Sequence, residues 1–234
     1  MKYAGIARRA GLKLIVLTLI AVGVVACFGL LLKVAGSVAQ LVGLAVMWLA
    51  IALGFVWVLF SLFTVYFFRD PNSRTPVQPG VVVSPAHGKV DVVEQLTDSQ
   101  FPGGPCHRIS IFLSVIDVHV QNAPVSGKID CIVHTAGQFI NALRAESATH
   151  NENVLIGFVS TETPGEKIGL RLIAGVLARR IIPFIKVGDE LGRGDRISLI
   201  QFGSRCDLYL PLRYKINVKL GDKVVGGETI MATS

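Results

Sequence analysis

Gly203-Ser204 and His119 are the residues in this chain whose types could do chemistry. Gly203-Ser204 lies between two β-branched runs, 196–202 and 207–210. A serine hydroxyl becomes a nucleophile only when a base takes its proton and donors hold the oxyanion that forms. By itself, Gly-Ser is an ordinary turn dipeptide. Among the five histidines, His119 sits in an alternating apolar run, Val118 to Gln121. An imidazole titrates close enough to neutrality to serve as acid or base. On the residues alone, His119 reads either that way or as a histidine bonded to backbone on a half-buried strand. His107, His134 and His150 read as surface or loop residues, and no metal-ligand spacing joins the five.

The elements that must position these residues begin after residue 80. Short β-branched runs broken by glycine occupy 81–83, 89–93, 108–114, 118–121, 128–133, 154–159, 169–173, 196–202 and 207–210. This spacing predicts mainly antiparallel β structure. Residues 172–182 read as strand or helix, because a short apolar run does not decide between them. Two near-repeats organise the region. Pro85-Ala86-His87-Gly88-Lys89-Val90-Asp91 echoes Pro124-Val125-Ser126-Gly127-Lys128-Ile129-Asp130. Residues 185–195 echo 218–228, each with a Gly-Asp step suited to a tight turn. This turn-strand pattern resembles the half-barrels of lipoyl- and biotinyl-type domains, so the expected fold is a β sandwich or hybrid barrel.

The N-terminal part is of another kind. The chain has 234 residues, 51% hydrophobic and only 17% charged, and no acidic residue precedes Asp70. Residues 14–32 and 34–68 are uncharged runs long enough to span a bilayer, predicting a transmembrane helical hairpin in residues 1–68 and a second domain in 69–234. Lys2, Arg8, Arg9 and Lys13 precede the first run and only Lys33 separates the two, which places both ends of the hairpin in the cytoplasm. Of the net charge of +7, five units come from these five cations. The basic balance therefore belongs to the membrane end and does not argue for nucleic-acid binding. Cys27, Cys106, Cys131 and Cys206 show no CxxC spacing and read as reduced thiols. Residues 70–80, with Pro71, Pro76 and Pro79, read as the connection leaving the membrane.

A set of segments, in order, resembles the phosphatidylserine decarboxylase proenzymes of the short, membrane-tethered type. It comprises Phe68-Arg69-Asp70-Pro71, Ser84-Pro85-Ala86-His87-Gly88, Phe112-Leu113-Ser114 with Asp117-Val118-His119-Val120, Asn151-Glu152-Asn153, Ala178-Arg179-Arg180-Ile181 and Gly203-Ser204-Arg205. The resemblance implies self-cleavage between Gly203 and Ser204 into a large subunit, 1–203, and a small one, 204–234. It implies that Ser204 becomes a pyruvoyl group, which forms a Schiff base with the serine headgroup. It further implies His119 in proton transfer, conversion of phosphatidylserine to phosphatidylethanolamine and CO2 at the cytoplasmic side of an inner membrane, and no metal. Arg179, Arg180 and Arg205 are the candidates for holding the lipid phosphate. Two positions depart from the family pattern. Asn153 stands where an arginine is usual. His87 stands where the family has an aspartate expected to assist self-cleavage; histidine is itself a competent base. A membrane-anchored lipoyl-like adaptor without chemistry is the alternative reading.

Overall fold

A computed structural model describes residues 3–33, 37–98, 103–138, 150–175, 180–201 and 204–234. They fall into two compact units, Gly5–Arg69 and a unit containing Asp70–Ser234.

The first unit is a pair of helices, α1 (Ile6–Lys33) and α2 (Ser37–Phe67). Both exceed the roughly 20 apolar residues a bilayer crossing needs. The helix of α1 starts at Ile6, ahead of the apolar run, because long Arg and Lys stems can lie along a helix while their charges reach the interface. Large apolar side chains such as Leu17, Leu31, Leu41 and Phe55 point outward, as on a lipid-facing surface. Where the helices meet, small and polar residues do the joining. A Cβ on Gly29 would lie 2.8 Å from Val46 Cγ1. Trp57 donates from Nε1 to Thr18 Oγ1 at 3.1 Å. Such contacts hold helices together where no hydrophobic force acts between them.

The second unit is mainly β, as expected, with a long sheet that curls as a half-barrel. Its strands are β1 (Val81–Val83), β2 (Gly88–Leu96), β3 (Cys106–Leu113), β4 (Val120–Asn122), β5 (Gly127–Thr135), β6 (Asn153–Ser160), β7 (Lys167–Ala174), β8 (Ile181–Pro183), β9 (Glu190–Leu191), β10 (Arg196–Ile200), β11 (Ser204–Pro211), β12 (Lys215–Ile216), β13 (Lys223–Val224) and β14 (Ile230–Thr233). The long sheet has the order β13-β2-β3-β11-β7-β6-β5-β9, and two small sheets have the orders β1-β14-β12 and β4-β10-β8. The ambiguous segment 172–182 contributes the end of β7 and the start of β8; residues 176–179 lie outside the described residues.

The near-repeats explain this layout. Each Gly-Asp turn caps the strand that begins the other repeat. Ile129 N donates to Asp189 O and Gly188 N to Ile129 O; Val90 N donates to Asp222 O and Gly221 N to Val90 O. Gly188 and Gly221 take φ of 91° and 93°, the left-handed region that glycine enters without strain. Asp189 and Asp222 each accept a backbone bond at 2.9 Å, from Lys186 N and Lys219 N. Both β2 and β5 then carry a bulge at the same place, with Asp91 and Asp130 as the inserted residues. Exchange β13 for β9, β2 for β5, β3 for β6 and β11 for β7, and the order of the long sheet reads the same from either edge. Strands β11 and β7 pair at its centre.

The core lies on one face of this sheet and includes Ile111, Leu113, Ile156, Leu172, Leu208 and Met231. Apolar burial of this kind stabilises by about 25 cal/mol per Å2. A second anchor is polar. Arg196, fully buried, donates from Nε to Asp70 Oδ1 at 2.5 Å and from Nη2 to Pro71 O and Asn72 Oδ1, each at 3.1 Å. It ties the start of the proline-rich segment to β10.

Candidate active site

Strands β10 and β11 do not pair with each other. The first belongs to a small sheet and the second to the middle of the long one, so the Gly-Ser junction lies where the chain leaves one sheet for another. Gly203 lies outside the described residues. Ser204 is the first residue of β11, opposite Leu113 of β3 and Ala174 of β7. Alternation along β11 puts Ser204 on the core face with Cys206, Leu208 and Leu210, and Arg205, Asp207 and Tyr209 on the other. Ser204 is fully buried, and its Oγ has no hydrogen-bond partner among the described residues. A buried unpartnered hydroxyl costs about 1–3 kcal/mol, and one at a strand head is a candidate for function.

His119 is brought to the same junction. From Leu113, opposite Ser204, the chain turns through Ser114 and Asp117 to His119, whose carbonyl accepts from Ile200 N at the end of β10. Asp117 Oδ2 closes the turn, accepting from Ser114 N at 2.8 Å and Ser114 Oγ at 2.7 Å. His119 is fully buried, and its Nδ1 lies 2.9 Å from Asp117 O. A carbonyl only accepts, so Nδ1 carries the proton and Nε2 is the basic nitrogen of the neutral ring. Gln121 fixes the backbone here, donating to His119 O at 2.8 Å while its Oε1 accepts from Ser198 Oγ at 2.7 Å.

Asn151 supports the other side of Ser204. It is buried and donates to Ala174 O at 2.7 Å, and Ala174 N donates to Glu152 O. His87 stands half-buried at the head of β2, beside Asn122 of β4 and the Gly226 turn. A Cβ on Gly226 would lie 2.9 Å from His87 Cδ2 and 2.8 Å from Asn122 Oδ1, so glycine is what lets the imidazole fit there.

The three candidate arginines part company. Arg179 lies outside the described residues. Arg180 is exposed at the start of the β8 segment, and its carbonyl accepts from Gln201 N at 3.2 Å. Arg205 is buried on the face away from Ser204 and ion-paired to Asp91. Nearby, burial raises the Asp207 carboxyl against the pull of Ser110, Arg108, Arg205 and Arg171. Burial also raises Tyr209 to about 12 and Cys206 well above the ordinary thiol value. Cys106 and Cys206 are buried free thiols. His107 and His134 lie on strands, with His134 Nε2 3.2 Å from Glu152 Oε1. Among the described residues no group of three or more His, Cys, Asp or Glu could hold a metal ion.

Sequence reasoning left Asp117, Gln121 and Asp91 without roles. Asp117 and Gln121 flank His119 at two residues on either side, a local signal for a histidine held by its own loop. Asp91 was visible only as the last residue of a repeat.

Residues 60–232 match the family model described as phosphatidylserine decarboxylase. The phosphatidylserine decarboxylase proenzyme of Desulfotalea psychrophila (strain LSv54 / DSM 12343) is 44% identical over 179 residues, covering 76% of this chain and 83% of the relative. With the match running from the end of α2 nearly to the C-terminus and taking in every segment of the junction, the chain belongs to the phosphatidylserine decarboxylase family.

Proposed function

We propose that this chain is a proenzyme that cuts itself between Gly203 and Ser204, and that the cut protein decarboxylates phosphatidylserine to phosphatidylethanolamine and CO2. The observation that carries the reading is the buried Ser204 hydroxyl, without a hydrogen-bond partner among the described residues, at the junction where His119 is held. Ser204 Oγ attacks the Gly203 carbonyl carbon, and the acyl group passes from nitrogen to oxygen. Loss of the Ser204 Cα proton expels the Gly203 carboxylate. Hydrolysis with release of ammonia leaves a pyruvoyl group at 204. His87 is proposed as a base in this step, in the place of the family's aspartate.

A pyruvoyl group supplies the electron sink that decarboxylation of an amino acid requires. The burial of Ser204 fits such a group: its Cβ becomes the methyl, its Oγ leaves in the Gly203 carboxylate, and the new carbonyl oxygen on Cα comes from the water of hydrolysis. His119, with Nε2 basic, moves the proton that returns to the carbon; such transfer contributes about 10^2–10^4-fold. Residues 204–234 remain bound after cutting, because they supply β11, β12, β13 and β14. Arg179 and Arg180 are the proposed contacts for the lipid phosphate, whose planar forks suit phosphate oxygens. The two apolar helices associate the chain with a membrane, proposed as an inner membrane with the β unit on its cytoplasmic side. The adaptor alternative is not favoured, since the matched family is one of carboxy-lyases.

The test is a pair of variants of the full chain. Ser204→Ala should stay a single chain without activity, and His119→Ala should lose at least a hundredfold in decarboxylation. A cut Ser204→Ala protein, or full activity without His119, would refute the respective role.

A further inference from the structure

Cutting a chain inside a sheet creates a new end, and chain ends fray unless tied down. After the proposed cleavage the reacting group would sit on residue 204, the first of β11, with no covalent restraint on one side. We propose that Asp91 holds this end through Arg205, making the pair a positioning device for residue 204; the inference rests on the cleavage proposed above. Ser204 and Arg205 point to opposite faces of the strand, so a grip on the Arg205 side chain fixes the backbone of its neighbour while leaving the reacting face clear.

The register shows how the grip forms. Lys89 of β2, Phe112 of β3 and Arg205 of β11 lie in one row across the sheet. Arg205 must therefore reach across β3, two strand spacings or about 10 Å. Asp91 is the residue inserted by the β2 bulge, and bulges re-aim side chains. It meets Arg205 Nη2 with Oδ2, and the two side chains are 24% and 6% exposed. The other half of the sheet has the same geometry with a different outcome. Lys128, Val159 and Lys167 lie in the matching row, and Lys167 reaches the bulge residue Asp130. That pair is 3.6 Å apart with side chains 50% and 43% exposed. The bulge is thus common to both halves, whereas of the two bulge pairs the one beside Ser204 has the guanidinium and is the more buried. Buried pairs bind and orient; exposed ones contribute little.

The test compares Asp91→Asn with Asp130→Asn in the full chain, reading cleavage by denatured mass, kcat and KM separately, and amide hydrogen exchange at residues 205–207. The expected result for Asp91→Asn is slowed cleavage or a tenfold or greater loss in kcat at unchanged KM, with faster exchange at 205–207. Asp91→Glu should restore part of the loss, and Asp130→Asn should match the parent. Parent-like cleavage, kcat and exchange in Asp91→Asn would overturn the inference. If Asp91→Asn fails to fold, Arg205→Lys, which keeps the charge but not the fork, is read by the same criteria. An uncut parent chain would instead refute the cleavage reading.

Discussion

The two halves of the β unit share one plan and differ where the chemistry is placed. Each half starts a strand with the same Gly-Lys step, bulges at an aspartate, and is capped by a Gly-Asp turn from the other repeat. At the row end, however, Ser204 faces Leu113 in one half, whereas Glu166 O accepts from Ser160 N at the matching place in the other. Ser204 Oγ has no partner among the described residues, while Glu166 Oε2 accepts from Tyr214 OH and Arg213 Nη2, each at 2.6 Å. Among the described residues the Ser204 hydroxyl has no partner, whereas at its counterpart one carboxylate oxygen is held twice and the other, Oε1, has none. A duplicated scaffold can thus keep its stability in one copy of a motif and carry a reactive group in the other.

The comparison can be broken most sharply at those two residues. Ser204→Ala should abolish cutting, whereas Glu166→Gln should lose about 1–3 kcal/mol of stability and leave cutting at 203–204 intact, read by mass and thermal unfolding. Next in size is the buried anchor of the small sheets. Arg196 stands opposite Asn122 where Ile230 stands opposite Val83 in the other half. Asp70→Ala would leave that buried arginine without its carboxylate, at a cost of about 3–5 kcal/mol in a denaturant titration. A parent-like midpoint would remove the anchor from the account.

A smaller effect concerns pH. Burial raises the Asp207 and Asp91 carboxyls above their ordinary value. Ionising them therefore costs more in the folded chain than in the unfolded one. That penalty is absent below the unfolded carboxylate value, near pH 4, and grows as pH rises toward the higher folded values. The Tm of Asp207→Asn relative to the parent should accordingly be more favourable at pH 7 than at pH 4. An equal difference at both pH values would contradict the burial argument. The smallest effect belongs to the exposed pair: Lys167→Ala should change stability by no more than about 0.5 kcal/mol and leave activity unchanged.

Much of this architecture was legible in the sequence. The absence of acidic residues before Asp70 marked the helical pair, and the Gly-Asp repeats marked the turns that cap β2 and β5. The strand start at Ser204 was less visible, because β11 is buried on both faces although Arg205 and Asp207 near its head carry charge. Two-residue strands such as β9, β12 and β13 leave no pattern at all. Arg205 looked like a phosphate ligand because sequence displays its charge and not its partner. Asp91 is 114 residues away and is aimed by a bulge, which only pairing reveals.

The central claim is that the chain turns its own Ser204 into the reactive group. It is tested most directly by the denatured mass of the purified full-length protein. Two chains, one ending at Gly203 and one beginning with a pyruvoyl group at 204, are the predicted result. A single intact chain with an ordinary serine at 204 would contradict it.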